Sequence, residues 1–228
     1  MKLQFLSGPI GHFFEFLQSG VASVIPNPNI SYGITIILMT AIIRIILLPL
    51  NIKQIKSTVK MSKIQPEMKK IQDKYKNDPQ KSQQEIMKLY KENGVNPLGG
   101  CLPMLIQMPI LFALFYVFNN LTFMSGSMTQ PAGFLWLNSL AKPDPYYILP
   151  ILSTVTTYIS SKLMQPSNGD SAQAKQTSTM NSVMAIVFGF MSIKFRSALV
   201  LYWVINNLFQ IAQTIWMQKV EKRRDAKA

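Results

Sequence analysis

The run Tyr32 to Ile52, YGITIILMTAIIRIILLPLNI, is almost wholly apolar and 21 residues long. As one helix it rises roughly 31 Å, the thickness of a bilayer's hydrocarbon core. Arg44 lies inside it, eight positions before Ile52, where an unhydrated charge costs several kcal/mol. No Asp or Glu occupies any other segment long and apolar enough to cross. Arg44 therefore needs water, hydroxyls, amides or carbonyls at membrane depth, or else its aliphatic stem must snorkel to the headgroups. The first alternative is a polar, wet cavity within the membrane.

Hydrophobic residues make up 48% of the 228 positions and come in long runs, which predicts a polytopic all-α membrane protein. Cys101 is the only cysteine and His12 the only histidine. That excludes a disulfide framework and leaves no metal site or cofactor to propose. Cys101 reads as helix packing. With Lys2 alone as a basic start and Gly11, His12, Glu15 and Gln18 interrupting the apolar stretch, no cleavable signal peptide is expected.

In chain order, residues 1–30 hold an amphipathic helix outside the membrane, with Ile10, Phe13, Phe14, Leu17, Val21 and Val24 at steps of three and four. It either lies in the interface or packs on the bundle, and Pro26 and Pro28 end it. Residues 31–52 are the first span. Residues 53–96 form an extramembranous helical hairpin, since Lys53 to Val95 carries eleven Lys against five acids. Ile64, Met68, Ile71 and Tyr75 mark its first helix, Asp78 and Pro79 the turn and cap, and Ile86, Leu89 and Tyr90 its second. Residues 97–124 are a second span, loosened by Gly99, Gly100, Pro103 and Pro109, with Gln107 as its mid-span amide. A polar loop at 125–145 precedes a third span at 146–164. A loop at 165–178, a fourth span at 179–193, a tight link, a fifth span at 198–217 and a flexible basic tail at 218–228 complete the chain.

The third span bears Ser153, Thr157 and Ser160 on one face, with Ser161 beside them, and the fifth bears Trp203, Asn206 and Gln210. Thr40 stands one turn before Arg44. Any one polar stripe could simply join helices. A shared hydrophilic chamber satisfies all of them together and accounts for Arg44. Lys and Arg number eighteen in the hairpin, the 165–178 loop with Lys162, and the tail, against four at Lys2, Lys142, Lys194 and Arg196. This bias places the hairpin and carboxyl terminus in the cytoplasm and the amino terminus outside. An ion-coupled carrier usually uses an intramembrane carboxylate, and an intramembrane protease needs paired Asp, Ser with His, or HExxH. These spans have none, so the expectation is a protein that is not an enzyme.

The run YGITIILMTAIIRIILLPLNIKQIKS, followed by QPEMKKIQDKY and NPLGGCLPMLIQMPILFALFYVF, closely resembles the bacterial YidC membrane protein insertases, with their mitochondrial and chloroplast relatives. LYWVINNLFQIAQ extends the likeness, which covers roughly Tyr32 to Met217. The resemblance implies a five-helix core, a groove open to cytosol and lipid, and insertion of membrane proteins alone or beside the Sec translocon. Arg44 falls on the family's groove arginine, Thr40 on a polar position one turn earlier and Trp203 on an aromatic groove position. Ser160 or Ser161 falls where some relatives carry a glutamine. The partners implied are nascent membrane protein clients in a bacterial cell membrane, with the ribosome, targeting factors and the Sec translocon as further candidates. Anionic lipid at the basic hairpin is expected as well, and sequence-specific nucleic acid is not. The reading from another class is a small solute or ion channel or permease.

Overall fold

The computed structural model describes residues 4–95, 102–120, 132–164 and 172–225, and among them it is all-helical, with eight helices and one isolated bridge, Phe134 to Leu137. In order these are α1 (Gln4–Val24), α2 (Pro28–Ile46), α3 (Leu48–Lys74), α4 (Pro79–Glu92), α5 (Leu102–Asn120), α6 (Ile148–Met164), α7 (Ala172–Ser192) and α8 (Ser197–Asp225). Cys101, the 165–171 part of the predicted loop and the last three residues of the tail lie outside the described residues. By length and composition, Pro28–Ile46 and Ser197–Val220 can each cross a bilayer, and Gln107–Phe118 and Ser178–Ser192 are shorter apolar helices.

Three boundaries differ from the sequence expectation. The apolar run 32–52 is not one helix but is divided at Leu47. Pro49 lacks an amide hydrogen and its ring would meet the Ile45 carbonyl, so α2 ends before it and α3 begins with the proline inside its first turn. Residues 172–178, expected as loop, already belong to α7, because AQAKQ is rich in good helix formers. The tail, expected as flexible from residue 218, continues α8 to Asp225. Nothing in VEKRRD breaks a helix, and its mixed charges suit an exposed one.

The chain divides into two compact units. The first comprises Met1–Leu47, Ile106–Thr157 and Ala185–Phe209. Its core joins Phe14, Ile36, Met39, Leu114, Phe118 and Tyr202, all nearly inaccessible. Phe14 meets Phe118 edge to face with ring centroids 5.9 Å apart, so α1 packs on its neighbours through the apolar face seen in the sequence. Gln18 fixes it further, donating to Ser31 Oγ at 3.1 Å and accepting from Thr35 Oγ1 at 2.6 Å.

One end of this unit is tied by the 132–147 loop. The Gly133 amide donates to Asn29 Oδ1 at 2.9 Å, and the Phe134 ring lies where any β-carbon at Gly33 would stand. Ser197 donates to the Lys142 carbonyl through both its amide and its hydroxyl, at 2.9 and 2.7 Å. Asp144, buried, accepts from Trp136 Nε1 at 3.3 Å and from the Tyr146 and Leu149 amides at 3.0 and 2.7 Å. A carboxylate there satisfies orphan donors and complements the positive end of α6.

The second unit comprises Leu48–Leu105, Tyr158–Met184 and Gln210–Ala228. In it α3 and α4 pack through Ile64, Met68, Leu89, Tyr90 and Val95. Asp78 caps α4, its side chain accepting from the Lys81 amide at 3.0 Å, with Pro79 at the first helical position. The other end of α4 closes at Gly94, φ +58, with Val95 N–H bonded to the Tyr90 carbonyl and Gly94 N–H to that of Lys91. This pairing is a Schellman motif, and it brings Val95 into the apolar contact.

Candidate functional site

Arg44 is buried at 6% exposure in the last turn of α2. Its Nε donates to Asn206 Oδ1 at 2.8 Å and its Nη2 to the Asn206 backbone carbonyl at 2.8 Å. A helical carbonyl has a second lone pair, so Asn206 can serve the guanidinium without giving up its place in α8. The break at Leu47 adds a second compensation. It puts Arg44 at a helix C-terminus, where the partial negative charge of unsatisfied carbonyls favours a cation.

Around this pair the first unit gathers further polar groups from α5, α6 and α8. Gln107 Nε2 donates to the Tyr202 hydroxyl at 2.9 Å, and Asn206 Nδ2 reaches Gln107 Oε1 at 3.5 Å, the outer limit of a hydrogen bond. Thr157 Oγ1 accepts from Trp203 Nε1 at 3.0 Å and from Asn207 Nδ2 at 2.8 Å, while Asn207 also approaches Thr156 Oγ1 at 3.3 Å. The indole of Trp203 stacks on Phe188, centroids 4.9 Å apart and planes 15° from parallel. Arg44, Gln107 and Asn206, singled out from sequence, thus join one bonded set with Tyr202, and Thr157 and Trp203 join a second with Asn207, both within the first unit.

The remaining candidates are placed differently. Thr40 is fully buried and its hydroxyl is returned to the Ile36 carbonyl of its own helix at 2.6 Å. Ser153 is buried and borders an apolar cavity rather than the polar cluster's bonds. Ser160, Ser161 and Gln210 belong to the second unit, where Gln210 Nε2 contacts the Met164 sulfur at 3.3 Å. Ser160 is buried there and Ser161 partly so.

Three participants escape the sequence reading as site residues: Tyr202, Asn207 and Thr156. An apolar-flanked tyrosine reads as an interfacial anchor, yet this one is 1% exposed and hands its hydroxyl to Gln107. The adjacent pair Asn206-Asn207 carries a usable signal. Neighbours in a helix point about 100° apart, so two consecutive amides can serve two different partner helices.

A family model described as 60Kd inner membrane protein matches residues 24–225. The chain is 50% identical over 221 residues to the membrane protein insertase YidC of Clostridium tetani, covering 97% of each. It is likewise 50% identical over 234 residues to the insertase of that name from Clostridium perfringens, covering 99% of this chain and 96% of the relative. Among solved structures it resembles an active YidC insertase crystal structure with the first transmembrane domain resolved. There the TM-score is 0.67 at 31% identity, over 93% of this chain and 46% of the other.

Proposed function

Since the chain belongs to the 60Kd inner membrane protein family and is, with its YidC relatives, a membrane protein insertase of the bacterial membrane, we propose that its polar cluster is where client segments are received. The observation that carries this is a guanidinium buried in an apolar helix and bonded to one amide and one carbonyl. Both acceptors are neutral, so these bonds do not cancel the charge. A client carboxylate therefore gains more at Arg44 than Asn206 supplies, and the Asn206 bonds are exchangeable.

In this reading five spans surround a groove lined, within the first unit, by Arg44, Thr40, Gln107, Ser153, Thr157, Trp203 and Asn206. Water or a client's polar segment enters from the cytoplasmic side and replaces the bonds among the amides and hydroxyls. The segment is hydrated partway across while the apolar part of the client moves into lipid, which supplies the drive. The α3–α4 hairpin, with its net charge of +6 in Lys53 to Val95 from eleven Lys and five acids, faces the cytoplasm and recruits clients or targeting factors. The carboxyl terminus lies on the same side and the amino terminus outside. Ribosome, Sec translocon and anionic lipid are the further partners proposed. No observation favours a channel or permease.

The test uses a single-span client with an acidic extracellular tail and a version with those acids neutralised, each inserted into liposomes holding the purified protein. Arg44→Ala should lose the acidic client and spare the neutral one, and Arg44→Lys should keep part of the activity because charge survives without the planar donor set. An alanine variant that is folded and inserts both clients like the parent would sink the electrostatic role.

A further inference from the structure

The first unit contains a cavity of about 370 Å³ bordered by Met108, Phe112, Phe115, Phe188, Met191 and Leu199, with Trp203 and Ser153 at its inner wall. That is within the roughly 300–1,000 Å³ of ligand clefts. Two of its three polar neighbours are already committed, Ser192 Oγ to the Gly189 carbonyl at 2.6 Å and Trp203 Nε1 to Thr157, which leaves the single hydroxyl of Ser153. Water would find too few partners there, and an empty apolar space forfeits dispersion contacts along its whole lining. Hydrocarbon is the filling that meets neither objection. Phe112, Phe115 and Met191 on the rim are 47%, 47% and 44% exposed, so the cavity opens sideways through apolar side chains.

The cavity is also lined by Ser192, the last residue of α7, and by Phe195 in the turn joining α7 to α8. Lys194 and Arg196 flank Phe195, Lys194 is exposed, and Arg196 Nη1 reaches the Phe118 carbonyl at 3.4 Å. Ser197 binds the backbone of Lys142, also exposed, to the same turn. Lys142, Lys194 and Arg196 are thus three of the five Lys and Arg that the sequence places in this unit, the others being Lys2 and Arg44, and they collect at the turn whose Phe195 lines the apolar cavity. Asp144, the acid nearest in sequence, is buried and occupied by Trp136 and two amides.

We infer that this cavity is a binding site for one anionic phospholipid, with an acyl chain between α5 and α7 and its phosphate at the Lys194 turn. The site is separate from the Arg44 cluster in its chemistry, since it takes hydrocarbon and a headgroup rather than a polar peptide. Cations at a hydrocarbon boundary attract anionic headgroups, and the cavity selects the chain that brings one.

The full chain is reconstituted in phosphatidylethanolamine and phosphatidylglycerol vesicles with tracer lipid carrying a diazirine on its acyl chain, and labelled residues are mapped after illumination. The phosphatidylglycerol probe should label the 108–115 and 188–200 segments well above Ile159 and Ile186, exposed apolar residues outside the cavity. Met191→Trp, at the exposed rim, should cut that labelling about tenfold, a factor matched by about 1.4 kcal/mol. Lys194→Gln with Lys142→Gln, both on the surface, should remove the preference over a phosphatidylcholine probe, about fivefold per charge, while apolar labelling persists. Even labelling of all exposed apolar faces, indifference to Met191→Trp, or equal labelling by both probes in the parent overturns the proposal. So does labelling of these segments by a diazirine-bearing client helix where the lipid probe leaves them untouched.

Discussion

Arg44 takes both of its described acceptors from one residue, Asn206, whose side-chain amide and main-chain carbonyl each accept at 2.8 Å. The residues are 162 positions apart, so the contact joins the end of α2 to α8. Because both acceptors are uncharged, the bond holds the guanidinium in place without neutralising it. On the role proposed for Arg44, this pair fixes the orientation of the guanidinium while adding no opposite charge of its own.

Removing the amide exposes how much of the fold depends on that bond. In Asn206→Ala the main-chain acceptor remains and Nε loses its partner, which should cost roughly 1.5–3 kcal/mol, the range for hydrogen bonds to charged groups. A lowered melting temperature in detergent would show this, and Arg44→Leu in the same background should recover part of it. An unchanged melting temperature would mean that water replaces the amide at no cost.

Much of this arrangement is legible in the sequence alone. Arg44 stands out as a charge in an apolar run, and Asp78-Pro79 with the spacing of Ile64, Met68, Leu89 and Tyr90 specifies a capped helical pair, because caps and periodicity are local properties. The partner of Arg44 is not legible, since several amides on the fifth span are equally placed by spacing and only long-range packing selects one. Thr40 looks like a groove residue by its position, but a threonine in a helix can return its hydroxyl to the carbonyl four residues back, and it does so at 2.6 Å. Counting apolar length also conceals the Pro49 break that puts Arg44 at a helix end.

Gly189 marks a close approach of α7 to α6, since a β-carbon built on it would overlap Thr154 Oγ1. Gly189→Val should destabilise by about 1–3 kcal/mol through overpacking. Thr154→Ala removes both the obstructing oxygen and its bond to the Pro150 carbonyl. The double variant should be more stable than the sum of the two single changes predicts, which a double-mutant cycle on thermal unfolding measures.

The α3–α4 pair should loosen in alkali. Burial raises the Tyr90 phenol above its ordinary value, so the folded hairpin favours the neutral ring. Its contribution is complete below about pH 10, the usual phenol value. It is lost as pH rises further toward the raised value, because the opened chain ionises first and draws the equilibrium. Tyr90→Phe should remove this part of the pH dependence of protease protection across residues 48–95. A parent and variant that lose protection in parallel would assign the effect to the lysines alone.

The last prediction reverses the logic of Arg44→Ala by cancelling the charge in place. Asn206→Asp puts a carboxylate where the amide oxygen accepts from Nε at 2.8 Å, keeping the main-chain contact and the side-chain shape and giving up only the long 3.5 Å contact to Gln107 Oε1. Two opposite charges about 4 Å apart in a medium of effective dielectric near 20 attract by roughly 4 kcal/mol, less the cost of desolvating the new carboxylate. The fold should hold, with a melting temperature equal to or above the parent's. A client's acidic tail would then have to displace a bound carboxylate instead of a neutral amide, and a tenfold loss of insertion needs only about 1.4 kcal/mol of that difference. Clients with neutral tails should insert at the parent rate. If the aspartate variant is stable and inserts acidic clients undiminished, Arg44 serves hydration and packing, and the client's charge is read elsewhere.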